Sequence, residues 1–255
     1  MITIKMKKDI AVLREGGQRH ALILRELAAM VRPGVTAGEL NTRAEDLIKE
    51  GGDAAAFLGY KPEGAPRPYP AALCVSINEE IVHGIPNEKE KIIKEGDIVS
   101  LDLGLIHNGL ITDSAVTVAA GTASKEAQKL LKMTQEALMA GIREAKGGRR
   151  VGDISSAIER VGVAGRFGIV EELAGHGVGY HVHEDPYVPN YGEAGRGDVL
   201  KPGMVIAIEP MFNLGTHKIK LDKDGYTYRT ADGKPSAHFE HTILITKGDP
   251  EILTL

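Results

Sequence analysis

The chain has 255 residues, 42% apolar and 26% charged, with a formal net charge of −4. That length buries a substantial core as one domain or two tightly joined halves, and the composition is that of an ordinary soluble globular protein. The mixed charge gives no field directed at DNA or an anionic membrane, the single cysteine (Cys74) excludes an intrachain disulfide framework, and the absence of Trp leaves no evident base-stacking platform.

The N-terminal Met1-Ile2-Thr3-Ile4-Lys5-Met6-Lys7-Lys8 lacks the apolar run and cleavage site of a signal peptide. No stretch approaches the roughly 18 apolar residues of a membrane span. A cytoplasmic, reducing setting is the expectation. The first periodic segment, about Lys8 to Val31, predicts a helix stopped by Arg32-Pro33-Gly34, although Gly16-Gly17 weakens it. Thr36-Ala37-Gly38-Glu39 has the form of a capping box opening a second helix, which stops at Gly51-Gly52. Gly59 to Pro70 reads as a loop, and strands follow at Leu73–Ile77, Ile98–Leu103 and Leu110–Val118. In the second half Ser124 can cap a helix running to Gly147-Gly148, and Asp153 a shorter one ending near Gly162. Gly175 to Lys201 reads as a loop, and the last strands are Met204–Ile208 and Phe239–Thr246.

This layout repeats. Ile93-Lys94-Glu95-Gly96-Asp97-Ile98-Val99-Ser100-Leu101-Asp102 aligns with Leu200-Lys201-Pro202-Gly203-Met204-Val205-Ile206-Ala207-Ile208-Glu209 at an offset of 107 residues, and both end an apolar run on an acid. Val82-His83-Gly84-Ile85-Pro86 resembles Val182-His183-Glu184-Asp185-Pro186, and Gly34–Leu40 resembles Gly148–Ile154. Repeats of this size are half-domains, not solenoid units. The expected architecture is a single α+β domain, residues 1–255, made of two related halves, about 1–120 and 121–255.

The acids converge. Asn108-Gly109 is a strong hairpin-turn signal, and with those residues as the turn position 104 faces 113. Asp102 and Asp113 then lie on one face as diagonal neighbours, about 7–8 Å apart at the backbone. Carboxylates crowded among Ile98, Val99, Leu101 and Leu103 must share a proton or be neutralised by a cation. Glu209 and Glu240 come from corresponding strands of the other half, making four acids around a pseudo-twofold axis, a pattern that favours two divalent ions over one. Gly175-His176-Gly177 leaves an imidazole on a chain with little bulk around it. Alone, His176 reads as a surface-loop histidine; beside four acids it is the fifth ligand.

Asp102, the eleven-residue step to Asp113, Gly-His176-Gly, Glu209-Pro210-Met211 and Glu240-His241-Thr242 together resemble the methionine aminopeptidases. More broadly they resemble the "pita-bread" metallopeptidases, which include aminopeptidase P and prolidase. The match covers nearly the whole chain, and the 26-residue step from His183 to Glu209 is similar to the short type I enzymes of bacteria. The resemblance implies the pseudo-twofold pita-bread fold, a central antiparallel sheet with helices on its outer face. It implies removal of the initiator methionine from nascent polypeptides when the second residue is small, by attack of a metal-bridging hydroxide on the first peptide bond. Two divalent ions (Mn, Fe, Co or Zn) would be held by Asp102 on one side, by His176 and Glu209 on the other, and by Asp113 and Glu240 bridging between them. His183 would stabilise the oxyanion, Glu209 pass a proton to the departing amine, and His83 hydrogen-bond the scissile amide nitrogen. Tyr60, Tyr69, Cys74, Val182 and Tyr226 occupy positions similar to those that hold the methionine side chain. Val182 and Tyr226 stand where the bacterial pattern often has an aromatic and Trp, and Glu63–Pro68 lengthen the loop between the two tyrosines, so a roomier pocket is expected. The family's role implies transient ribosome association, and nothing in the chain demands more than a monomer.

His20, His107, His181 and His217 receive no primary role, while His238 and His241 flank Glu240 and can orient ligands. Cys74 has no base-bearing motif beside it and is not expected to be a nucleophile. Two other readings remain open: an X-Pro peptidase with the same ligands, and a pita-bread binding protein that has lost catalysis. Against the first, those enzymes tend to carry Arg shortly before the last glutamate, where His238-Phe239 stands here, and usually have a large additional N-terminal domain. Against the second, all five ligand positions are intact.

Overall fold

The computed structural model describes residues 1–255. Four helices, α1 (Lys7–Met30), α2 (Ala37–Glu50), α3 (Lys125–Glu144) and α4 (Val151–Gly165), pack on strands whose pairings are all antiparallel. This is the α+β arrangement expected, and no helix is long and apolar enough to cross a membrane.

Helix α1 survives its two glycines because both are points of close approach. A Cβ on Gly17 would lie 2.2 Å from the Leu253 carbonyl oxygen, and one on Gly16 would lie 2.9 Å from His107 Cβ. The capping box at α2 is complete: Glu39 N donates to Thr36 Oγ1 at 3.1 Å and Thr36 N donates to the Glu39 carboxylate at 2.7 Å. Ser124 caps α3, which ends at Glu144, short of the glycine pair. Asp153 does not cap α4. The N-cap is Arg150, and Asp153 sits three residues on, its carboxylate accepting from Arg150 N at 2.9 Å. An acid reaching back in this way is half of a capping box and signals a helix already begun. Nor does Gly162 stop α4; it is where Ile169 and Phe212 press on the helix.

In the first half, Ile98–His107 pairs with Leu73–Ile77 on one side and Leu110–Ala119 on the other. Asn108 and Gly109 have φ of 47° and 80°, the left-handed pair that a two-residue type I′ turn requires. Gly104 accordingly faces Asp113 and Asp102 faces Ala115, the register read from the sequence. In the second half the order is Glu251–Ile252, His241–Leu244, Val205–Ile208, Ala174–Gly177, Glu184–Pro189. The segment Gly175 to Lys201 is therefore not simply a loop. Gly175 and Gly177 lie 2.3 and 2.1 Å, measured from an added Cβ, from the carbonyl oxygens of Ala207 and Asp185. Glycines that read as flexibility instead permit tight strand packing.

The final strand is also divided. Ser236–His238 pairs with Met211–Asn213, whereas His241–Leu244 pairs with Val205–Ile208. Between them Glu240 crosses to the first half, its N–H donating to Ala115 O at 2.9 Å. The halves meet along this seam. One contact also recurs in each: Gly34 N donates to Ile93 O, and Gly148 N, 114 residues on, donates to Leu200 O, 107 residues on, both at 2.9 Å. One apolar cluster lies with α1 and α2 against Leu73, Leu101 and Leu103; another lies with α3 and α4 against Ile206, Ile208 and Ile243.

Candidate metal centre

The seam brings the acids together. Asp102 and Asp113 arrive on the hairpin of the first half, Glu209 follows Val205–Ile208, and Glu240 sits at the break between the last strands. Side-chain hydroxyls tie the two halves at this point. Thr242 Oγ1 donates to Asp113 O at 2.7 Å and accepts from Asp113 N at 2.8 Å. Ser114 Oγ donates to Glu240 O at 2.7 Å, and Thr117 Oγ1 to His238 O at 2.6 Å. The backbones carrying Asp113 and Glu240 are thereby held side by side.

Asp102, Asp113 and Glu240 are buried, and one oxygen of each is enclosed without a hydrogen-bond partner. Ligand atoms of Asp113, His176 and Glu240 all lie within 4.8 Å of one another. His176 Nε2 is 3.3 Å from Glu209 Oε1, and its Nδ1 lies 2.9 Å from the Gly177 carbonyl oxygen, which leaves Nε2 free as a ligand atom when Nδ1 carries the proton. Burial raises the pKa of all three carboxyls well above the usual range. For Asp102 the Glu209 charge adds to it; for Asp113 the Asp102 and Glu209 charges add; for Glu240 the Asp113 charge is the largest addition. Buried carboxylate oxygens without partners, repelling one another and flanked by an imidazole, are a donor set that a divalent cation satisfies. The residues present fit such an ion. Burial pulls the pKa of His176 down, but the Glu209 carboxylate outweighs it and the net shift is upward.

Above the acids is a cavity of about 570 Å³ lined by every substrate-contact position read from the sequence except Val182. Val182 packs instead into the apolar cluster of Leu13, Ile111, Val178 and Val205. Tyr69, Cys74 and Tyr226 form an apolar wall with Ile85 and Ala71, Tyr69 and Tyr226 meeting edge to face at 5.1 Å. The Cys74 thiol is pushed well up by burial and by Asp102, so it stays protonated and inert. The lengthened loop folds onto this wall: Pro62–Pro66 line the cavity, and Tyr226 Oη donates to the Arg67 carbonyl.

The two rim histidines are neutral at physiological pH. Burial and the neighbouring His176 hold His83 at about 4, and burial with His176 and His83 holds His183 at about 3. Tyr60 Oη lies 2.9 Å from His183 Nδ1, and burial raises the phenol's own pKa. With the phenol donating, His183 carries its proton on Nε2 and can donate from there. His83 sits at a φ of 58°, and its ring meets Tyr228 edge to face. His238, buried and held at about 3, places Nε2 3.7 Å from Glu209 and 4.0 Å from Glu240. His241 lies on the far side, Nδ1 3.0 Å from Thr254 Oγ1, and His20 pairs with Thr112 behind the hairpin.

Sequence reasoning missed Phe57. It lines the cavity and packs against both the Tyr69–Tyr226 wall and the Val182 cluster. Its ring lies over Gly104, where an added Cβ would sit 2.7 Å from Phe57 Cε1. A glycine inside so apolar a strand was the available signal of a close approach, though not of what approaches.

The profile of Metallopeptidase family M24 matches residues 11–247. A methionine aminopeptidase of Aquifex aeolicus is 48% identical over 255 residues, covering 99% of this chain and 98% of that protein. Methionine aminopeptidase 1 of Bacillus subtilis is 44% identical, covering 100% and 99%. The crystal structure of methionine aminopeptidase from Thermotoga maritima superposes with a TM-score of 0.95 at 42% identity, covering 100% of this chain and 99% of that one.

Proposed function

The chain belongs to metallopeptidase family M24, among its methionine aminopeptidases, and from that membership and the site's geometry we propose that it removes the N-terminal methionine of new polypeptides when the second residue is small. The observation that carries this reading is the cluster of buried, unpartnered carboxylate oxygens around His176 at the base of an aromatic-walled cavity. The domain is one catalytic unit of two related halves, acting as a monomer in the cytoplasm with transient ribosome association.

In this reading Asp102, Asp113, His176, Glu209 and Glu240 would hold two divalent ions, of Mn, Fe, Co or Zn. When bound, such ions would supply Lewis acidity and bring the pKa of water towards neutrality. The chain's own groups do the rest. His183 donates from Nε2 to the carbonyl oxygen as charge develops there. His83, neutral, accepts from the scissile amide N–H. Glu209 takes the proton given up by the attacking water and delivers it to the departing amine as the C–N bond breaks. Tyr60, Tyr69, Cys74 and Tyr226, with Phe57, enclose the methionine side chain, whose unbranched thioether suits an aromatic wall.

The test is hydrolysis of Met-Ala-Ser, Met-Lys-Ser and Gly-Pro-Ala by metal-stripped protein with Mn, Co, Fe or Zn restored. Metal-dependent methionine release from the first peptide alone is the expected result. Cleavage only before proline would overturn it in favour of an X-Pro peptidase, and metal binding without cleavage in favour of a binding protein.

A further inference from the structure

His183 stands on a short bridge, Val178–His183, between the strands Ala174–Gly177 and Glu184–Pro189. The bridge has little regular structure, so something else must hold the ring in place. His183 faces the cavity, and Glu184 faces the first nine residues of the chain.

Four donors converge on the Glu184 carboxylate. Tyr180 N and His181 N reach Oε1 at 2.6 and 3.0 Å, Lys5 Nζ reaches Oε2 at 2.6 Å, and Thr3 Oγ1 also donates to Oε2. The Lys5 and Glu184 side chains are 0% and 3% exposed, so this ion pair is enclosed. Lys5 touches the bridge twice more. Its stem lies against Gly179, where a Cβ would sit 2.4 Å from Cε, and its ammonium lies 4.6 Å from the centre of the Tyr180 ring. Tyr180 Oη donates to Asp9 at 2.7 Å, and Lys5 N donates to Gly203 O at 2.8 Å. One side chain from the N-terminal segment thus binds both the start and the end of the bridge that presents His183.

We infer that Lys5 is a positioning residue, which, through its enclosed pair with Glu184, sets the geometry of the bridge and so the aim of His183 at the substrate carbonyl. The inference rests on the proposed peptidase reaction for its consequence in turnover, but not for the contact itself. Groups that orient the ligands of a metal site typically matter by about 10- to 100-fold, and the lower figure is taken for a group that orients His183 through the backbone. Lys5→Met should therefore lower kcat on Met-Ala-Ser by about 10-fold, with KM little changed, because the side-chain pocket is built elsewhere. In a His183→Ala background the same substitution should cost nothing further, since the group it positions is gone.

The experiment compares the full-length parent, Lys5→Met, His183→Ala and the double variant, with metal restored. Amide hydrogen exchange at Tyr180 and His181 is measured on each without metal. Lys5→Met/Glu184→Gln, which leaves no lone buried charge, serves should Lys5→Met fail to fold. Coupled loss of kcat and faster exchange at the two amides is the expected result. Equal losses in both backgrounds, or a folded variant with parental kcat and parental exchange, would overturn the inference. A parent that releases no methionine would count against the peptidase reading instead, and the exchange data would still decide whether Lys5 holds the bridge.

Discussion

Replacing Gly17 by Ala sets two effects of opposite sign against each other. Helix propensity favours Ala over Gly by about 1 kcal/mol in a helix interior. Packing opposes it, because the new Cβ would lie 2.2 Å from the Leu253 carbonyl oxygen and 2.7 Å from its carbonyl carbon. Ordinary carbon–oxygen contact begins more than 1 Å further out, and the obstacle is backbone, which has no rotamer to change. Overpacking of this kind costs about 1–3 kcal/mol, and more where backbone must move, so the net expectation is a loss of about 2 kcal/mol. Gly38→Ala in α2 is the control. Its Cβ would come no closer than 3.7 Å to the Pro86 carbonyl, so propensity alone should act and stability should rise by up to about 1 kcal/mol. Urea unfolding of the parent and both variants, with unchanged slopes, measures the two shifts. A Gly17→Ala midpoint at or above that of the parent would refute the packing argument.

At the centre itself, Asp113→Asn and Glu240→Gln should each abolish methionine release and weaken metal binding in calorimetric titration; retained turnover by either would sink the two-ion arrangement. His183→Ala should lower kcat by about 10²–10³-fold, as loss of one oxyanion donor does, with metal content unchanged by elemental analysis. Without metal, Asp102, Asp113 and Glu240 have folded pKa values raised above their unfolded ones, so the stability they contribute is present at acid pH and is lost as pH rises. Between pH 7 and 8 the metal-free protein should lose about 1.4 kcal/mol per carboxyl still protonated, His176, whose pKa is also raised, adding to the slope with the same sign, and saturating Mn or Co should flatten that slope. A flat profile in the absence of metal would contradict the assigned burial.

The parts of this site that were legible were those with local chemistry. Asn108-Gly109 specifies a turn, the turn specifies a register, and the register places Asp102 and Asp113 on one face without any knowledge of the rest of the chain. Glu209 was legible because its strand resembles that of Asp102. Glu240 was visible as an acid in an apolar run, but the break beside it was not, because the partner that draws it away is Ala115 in the other half. His176 was read as standing in a loop for a similar reason: the glycines around it pack on carbonyls distant in sequence or across a hairpin. Phe57 and the pairing of Lys5 with Glu184 left little or no local trace. Val182 was misplaced because a position near a functional histidine says nothing of which way its own side chain turns.

That dependence on the seam leads to a last prediction. Asp113 uses Gly104 as its partner across the hairpin, and its outward N–H and C=O have only Thr242 Oγ1 to meet them. Thr242→Val keeps the volume and removes both bonds, leaving a buried donor and acceptor unmatched at the point where carboxylates of the two halves already repel. One unsatisfied buried group costs about 1–3 kcal/mol, so a loss towards the upper end of that range is expected for the pair. The functional effect should exceed what stability alone explains, because the strand carrying Asp113 is freed to shift relative to Glu240. Metal affinity should fall by about 10- to 100-fold, in keeping with the effect of groups that orient ligands. Titration of Mn or Co into folded Thr242→Val, alongside urea unfolding, separates the two. A variant that is destabilised yet binds metal as the parent does would show that the hydroxyl closes the seam without aiming the acid. A variant unchanged in both would show that the halves are joined elsewhere.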